Sequence, residues 1–173
     1  VDDALARVAV MREPWFLYLA TSAGHQPWHA PPPALHTYNL SGVPDATPAE
    51  HYRASVQALD TELGRLLAGI DPAVLARTTV ILMGDNGSPN EVVTPPSISG
   101  KCKGTLFEGG VRVPMFIAGA GVVGSNRTST AIVHAVDLSA TMLEMMGVNL
   151  ASTLPTNLVF DSRSRSEERR VGK

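Results

Sequence analysis

Three short clusters in this sequence hold residue types that could do chemistry. The apolar run at residues 78–83 (TTVILM) ends in Gly84-Asp85-Asn86-Gly87, which sets a carboxylate beside an amide carbonyl. Both are hard oxygen donors of the kind that bind calcium or magnesium, and the flanking glycines allow a sharp turn. Asn-Gly is also a leading turn dipeptide, and on spacing alone a plain turn is its commoner use. A second apolar run, residues 15–20 (WFLYLA), leads into Thr21-Ser22-Ala23-Gly24-His25. The third cluster is Gly100-Lys101-Cys102-Lys103-Gly104, continuing to Glu108-Gly109-Gly110-Val111-Arg112-Val113-Pro114. A lysine between glycines lets an ammonium and backbone N–H groups approach an oxyanion closely. It lacks the glycine spacing and following Ser or Thr of a Walker loop, and a flexible basic loop would have the same composition.

The elements that must position these clusters alternate in type. Residues 2–11 have the spacing of a short amphipathic helix with acidic residues in its first turn. Residues 15–20 read as a buried strand, and 21–46, with five prolines and three histidines, as irregular loop. Thr47-Pro48-Ala49-Glu50 has the form of a capping box opening a helix that runs to about residue 69. Its apolar stripe is Tyr52, Val56, Leu59, Leu63, Leu66, Leu67 and Ile70. Asp71 and Pro72 can cap a second short helix before the strand at 78–83, a run suited to cover on both faces. Residues 84–112 are a glycine-rich loop, 113–118 another strand, and Asp137 caps a helix that Gly147 ends. This order predicts an α/β fold with helices packed on a mostly parallel sheet. In such sheets ligands sit at the carboxyl ends of strands, where the first two clusters fall.

Composition narrows the functional classes. With 173 residues, 44% hydrophobic and 17% charged, the chain has the make-up of about one globular domain. The net charge of −2 lacks the basic footprint of a nucleic-acid binder, so no nucleic-acid partner is expected. No apolar run reaches the ~18 residues of a membrane span. A single cysteine, Cys102, rules out an intrachain disulfide framework. Residues 162–173 (SRSRSEERRVGK) carry five of the 14 Lys and Arg side chains. They read as a basic, disordered tail with the composition of translated sequencing adaptor rather than of a native terminus.

Together the segments FLYLA…GHQP…AP (16–32), YRASVQALDTELGRLL (52–67), TTVILMGDNG (78–87), KGTLFEGGVRVP (103–114) and VDLSATMLEMMG (136–147) resemble the sulfatase family of the alkaline-phosphatase-like superfamily. The resemblance covers residues 1–161 and matches the C-terminal portion of the catalytic domain. It implies an alkaline-phosphatase-like sandwich, present only in part, and a hydrolase of sulfuric esters, of arylsulfatase type, that uses formylglycine and calcium. Carried over residue by residue, Asp85 and Asn86 match metal ligands that hold calcium beside the sulfate. Lys103 matches a lysine on the sulfate oxygens, and His25 a histidine that assists at the sulfate ester, so both are expected to bind substrate and to serve catalysis. Glu108, Arg112 and Asp137 fit the pattern as structural residues. The implied partner is a small-molecule or carbohydrate sulfate ester, and the implied location periplasmic, secreted or lysosomal.

The chain also departs from that pattern. No Cys or Ser followed by x-Pro-x-Arg occurs, so the formylglycine is expected in an N-terminal part that this chain lacks, with the remaining calcium ligands. The chain alone is therefore expected to be inactive. Cys102, between two lysines, is reactive at most. His29 and His36 lie where specificity could reside but are more simply solvated, and His51 and His134 are expected to be structural. Asn39, Asn86 and Asn126 fit the glycosylation pattern weakly. A phosphoester or phosphonate hydrolase of the same superfamily, or a non-catalytic sulfate- or glycan-binding module, would share these residues.

Overall fold

The computed structural model describes all residues except 41, 96, 125, 156 and 167–173. The glycosylation pattern at Asn39 requires Ser41 and lies outside the described residues. The chain divides into two compact units, Val1–Ile117 and Ala118–Lys173. No helix among the described residues is long and apolar enough to cross a membrane.

The first unit is organised by one long helix. α1 (Asp2–Val8) is shorter than its apolar spacing suggests and packs on α2 (Pro48–Gly69). The contact is close: a Cβ on Gly69 would lie 2.5 Å from Leu5 Cδ2, so the leucine side chain would have to shift to admit one. At its rim Arg65 donates to Asp2 at 2.7 Å and to Glu62 at 2.6 Å, and these hydrogen bonds hold both carboxyls below the usual carboxylate range. All three are solvent-screened, so they orient α1 more than they stabilise it. α2 starts at Pro48 as expected, but the capping box does not form. Thr47 makes no side-chain cap, and its hydroxyl lies 3.1 Å from His51 Nδ1 instead.

The expected stripe is buried at Leu66 and Ile70, but the first half of the buried face of α2 is displaced from it. His51, Ala54, Ser55, Ala58 and Leu66 are buried, whereas Val56 is exposed and Tyr52, Leu59 and Leu63 are half-buried. Small residues win because other chain segments lie directly on that face, and His51 is structural as expected. The proline-rich loop is pinned along α2 by Thr61 Oγ1 donating to Leu35 O and Thr37 N donating to Gln57 Oε1.

α3 (Pro72–Leu75) follows, capped as expected by Asp71, whose carboxylate accepts from Ala73 N at 2.7 Å and Val74 N at 3.3 Å. β1 (Thr79–Met83) and β2 (Met115–Gly119) are paired with each other, separated by the glycine-rich loop and α4 (Glu108–Val111). Gly84 N donates to Pro114 O and Gly87 N to Gly110 O, so one strand descends as the other ascends. The pairing is antiparallel, and the mostly parallel sheet does not occur among the described residues. β1 is half-buried instead of covered on both faces.

Residues 15–20 are not a strand either. A strand exists only with a hydrogen-bonded neighbour, and no described backbone group pairs with this segment. Phe16 and Tyr18 are consequently exposed, Tyr18 at 81%.

In the second unit α5 (Asp137–Met145) is followed by Gly147 at φ +81°, a left-handed helix stop of the kind expected, and by α6 (Leu150–Thr153). Asp137 is the first helical residue and is buried. Its carboxylate accepts from Arg163 N at 3.1 Å and Arg165 Nε at 3.0 Å, while Ala140 N donates to Ser162 Oγ. The Arg163 N–H, foremost, holds the Asp137 carboxyl below its ordinary range, with Arg165 assisting against the effect of burial. The ionised form therefore contributes to holding residues 162–166 on α5 above the usual carboxylate range, a contribution lost as the pH falls and Asp137 is protonated. The bonds from Ala140 N to Ser162 Oγ and from Arg165 N to Thr141 Oγ1 do not depend on it.

Candidate active site

Within the first unit a cleft of about 530 Å³ opens where two loops meet. The loop before α2 brings His25, and the glycine-rich loop after β1 brings Asp85 and Asn86 from its start and Lys103 from its middle. All four residues singled out in the sequence border this one cleft.

The close approach of the loops depends on absent side chains. A Cβ on Gly87 would collide with Gly109 O and lie 2.8 Å from Gly110 Cα. A Cβ on Gly109 would stand 2.6 Å from Lys101 O, and one on Gly110 2.7 Å from Cys102 O. The Gly-Gly pair before Val111 thus lets three backbones stack, and Gly87 N donates to Gly110 O across the contact. Gly87→Ala is expected to destabilise the chain by about 1–3 kcal/mol, since backbone must move to admit the methyl group. Denaturant unfolding measures this, and an unchanged midpoint would mean that the loops are not packed backbone on backbone.

The first two clusters are further joined from beneath. Gly24, at φ +79°, has Tyr52 Cε2 3.0 Å from where its Cβ would be. The Tyr52 hydroxyl is 3.2 Å from Ser88 Oγ, and Trp28 packs edge-on against the Tyr52 ring at 6.1 Å. Ser88 O in turn accepts from Lys103 N at 3.1 Å. Tyr52 and Ser88 therefore set the spacing between His25, Asp85 and Lys103. Sequence reasoning placed Tyr52 in the core; its position one turn into α2 gave no sign of this role.

His25 Nδ1 lies 2.7 Å from Gln26 O. A carbonyl can only accept, so Nδ1 carries the donated proton and Nε2 is the nitrogen left for another partner. Gln26 is itself anchored by donating to Glu91 at 3.1 Å. Asp85 Oδ1 accepts from Asn86 N at 2.8 Å, and Asn86 Nδ2 donates to Gly87 O at 3.0 Å. Asp85 Oδ2 and Asn86 Oδ1 have no hydrogen-bond donor among the described residues, so two exposed hard oxygens remain for a cation. That donor set suits calcium, which takes 6–8 oxygens, but supplies only part of its shell. No group of three or more His, Cys, Asp and Glu among the described residues could complete it.

The other candidates stay outside the chemistry. Cys102 borders the cleft but is 1% exposed, and its thiol donates to Ile98 O at 3.3 Å. Burial of that kind makes a cysteine inert, not reactive. His29 and His36 hydrogen-bond to Pro27 O and Pro31 O of their own loop, and neither borders the cleft. His134 Nδ1 accepts from Val136 N beside α5 and is structural, as expected.

A family model described as "Sulfatase" matches residues 2–148. Arylsulfatase G of Mus musculus is 29% identical over 178 residues, covering 95% of this chain and 31% of that protein. N-acetylgalactosamine-6-sulfatase of Homo sapiens is 31% identical over 155 residues, covering 86% of this chain and 27% of that protein. N-acetylglucosamine-6-sulfatase of Capra hircus is 26% identical over 200 residues, covering 92% and 34%. The chain spans about a third of the length of these curated relatives.

Proposed function

The chain belongs to the sulfatase family, and on that premise we propose that it forms part of a sulfuric-ester hydrolase acting on sulfated sugars. The observation that carries this reading is the meeting of His25, Asp85, Asn86 and Lys103 around one cleft. The sugar substrate is favoured by two relatives that are 6-sulfatases of N-acetylated hexosamines.

Asp85 and Asn86 would hold calcium, with further ligands from sequence outside these 173 residues. Calcium bound there would withdraw charge from the sulfuryl oxygens. A formylglycine, also from outside this chain, would supply the nucleophile. The remaining work falls to residues present here. The Lys103 ammonium neutralises charge that develops on the sulfuryl oxygens, which is worth most in a cleft partly shielded from water. His25, fixed through Nδ1 to Gln26 O, offers Nε2 to the ester oxygen that departs. In the complete protein further strands would lie beside residues 15–20 and β1. They would complete the mostly parallel α/β sandwich and cover Phe16 and Tyr18.

The isolated 173-residue chain, supplied with calcium, is expected to release no sulfate from nitrophenyl sulfate or a 6-sulfated hexosamine beyond an Asp85→Ala control. The complete protein is expected to hydrolyse at least one of them. Sulfate release by the isolated chain above the control would overturn the external nucleophile. Cleavage of phosphate esters instead of sulfate esters by the complete protein would make it a phosphoester hydrolase, and binding without turnover a glycan-binding module.

A further inference from the structure

The cleft continues past its Arg112 side. Ser97, Gly109 and Arg112, which border it, also border a second hollow whose other walls include Lys101, Phe107 and Glu108. Phe107 is 53% exposed, and the Lys101 ammonium stands 4.9 Å from its ring centroid. Glu108 and Arg112 face each other at 3.6 Å, so their charges offset. Lys101 forms no ion pair among the described residues. The hollow therefore presents one uncompensated cation beside an aromatic surface, continuous with the cleft that holds His25, Asp85 and Lys103.

We propose that this hollow is a substrate subsite for the sugar adjoining the sulfated one, with Lys101 pairing a second anionic group on that neighbour and Phe107 packing against its ring. The inference rests on the hydrolase reading above and narrows its substrate to glycans bearing two anionic groups, a sulfate ester in the cleft and a carboxylate or second sulfate next to it. An isolated surface lysine spends rotamer freedom to pair with an anion. Lys101 spends less, because its contact with the Phe107 ring already restricts it. Arg112 cannot take the same part without giving up Glu108. The ammonium lies over one face of the Phe107 ring, and the rest of the half-exposed ring is left for a sugar's apolar C–H groups, with the cation beside them to meet charge at the sugar's periphery.

The test compares the complete enzyme with its Lys101→Ala, Lys101→Arg and Phe107→Leu variants. The substrates are nitrophenyl sulfate, a sulfated disaccharide with a neighbouring uronic acid, its carboxyl-reduced analogue, and a version with a second sulfate replacing the carboxylate. Lys101→Ala is expected to raise KM for the two doubly anionic disaccharides about two- to five-fold at low salt, with kcat unchanged. That difference should shrink as ionic strength rises. The carboxyl-reduced analogue and nitrophenyl sulfate should be unaffected by Lys101→Ala, and Lys101→Arg should restore KM. Phe107→Leu should raise KM for every disaccharide and leave nitrophenyl sulfate unchanged. Equal KM values for wild type and Lys101→Ala on the acidic disaccharides would overturn the subsite. So would a KM rise that extends to nitrophenyl sulfate, which would put Lys101 on the scissile sulfate. Should the complete protein release no sulfate at all, the hydrolase reading fails by itself, and calorimetric binding of the same disaccharides still decides the subsite by the same two- to five-fold criterion.

Discussion

On the hydrolase reading proposed above, replacing Asp85 by alanine in the complete protein is expected to weaken calcium binding on the order of 100-fold or more and to remove activity with it. The argument is one of charge. Calcium affinity is set largely by how many anionic oxygens meet the ion, and Asp85 is the anionic member of its pair. Its Oδ1 is already held by Asn86 N, which fixes the carboxylate so that little ordering is lost when a cation binds. Asn86→Ala removes a neutral carbonyl dipole and should cost much less, although it also breaks the 3.0 Å bond from Nδ2 to Gly87 O that shapes the turn. Calorimetric titration of calcium into the metal-free enzyme measures both variants independently of turnover. Unchanged calcium binding in Asp85→Ala would return this segment to the plain turn that its Asn-Gly dipeptide equally serves.

What could be read from the sequence was what local chemistry decides. Asp71 caps α3 because its carboxylate reaches N–H groups two and three residues on, and Gly147 ends α5 because a left-handed φ is needed there. Pro48 opens α2 for the same local reason, while the reciprocal capping box failed because His51 offered Thr47 a competing partner. Features that depend on distant neighbours were misread. Residues 15–20 have a strand's composition but no ladder partner among the described residues, and the hydrophobic period of α2 holds at Leu66 and Ile70 but not in its first half, where alanines and a serine are buried instead.

The candidate site divides in the same way. Its residue types were visible in three clusters, but no spacing argument brings position 25 to positions 85 and 103. Only the family resemblance placed them in one site beforehand. The backbone stacking of Gly87 on Gly109 and Gly110 explains in hindsight why two glycines follow Glu108. Tyr52 had no local signal, since a half-buried tyrosine on a helix is ordinarily packing.

Lys103 and His25 border the same cleft, yet their substitutions are expected to respond differently to the leaving group. Lys103→Ala should slow good and poor leaving groups alike, because the sulfuryl oxygens that it would neutralise on the proposed reading are common to every substrate. The loss should be about 100- to 1,000-fold, the usual cost of removing one preorganised partner of a developing oxyanion. His25→Ala should act selectively. Nitrophenolate departs without a proton and should be lost only slightly, whereas a sugar alkoxide needs one, and there the loss should reach about 100- to 10,000-fold. The geometry makes His25 suited to that task. Its Nδ1 is spent on Gln26 O at 2.7 Å, which sets the ring's orientation and leaves Nε2 as the nitrogen that delivers a proton when the ring is in its imidazolium form. Gln26 is anchored through Glu91, so Gln26→Ala should reproduce a milder form of the same selectivity by loosening the ring without removing it. The measurement is kcat/KM for the complete enzyme and each variant across a series of aryl and alkyl sulfates, plotted against leaving-group pKa. A slope steepened by His25→Ala and unchanged by Lys103→Ala is the expected result. Parallel lines for His25→Ala would mean that it positions sulfate and transfers no proton.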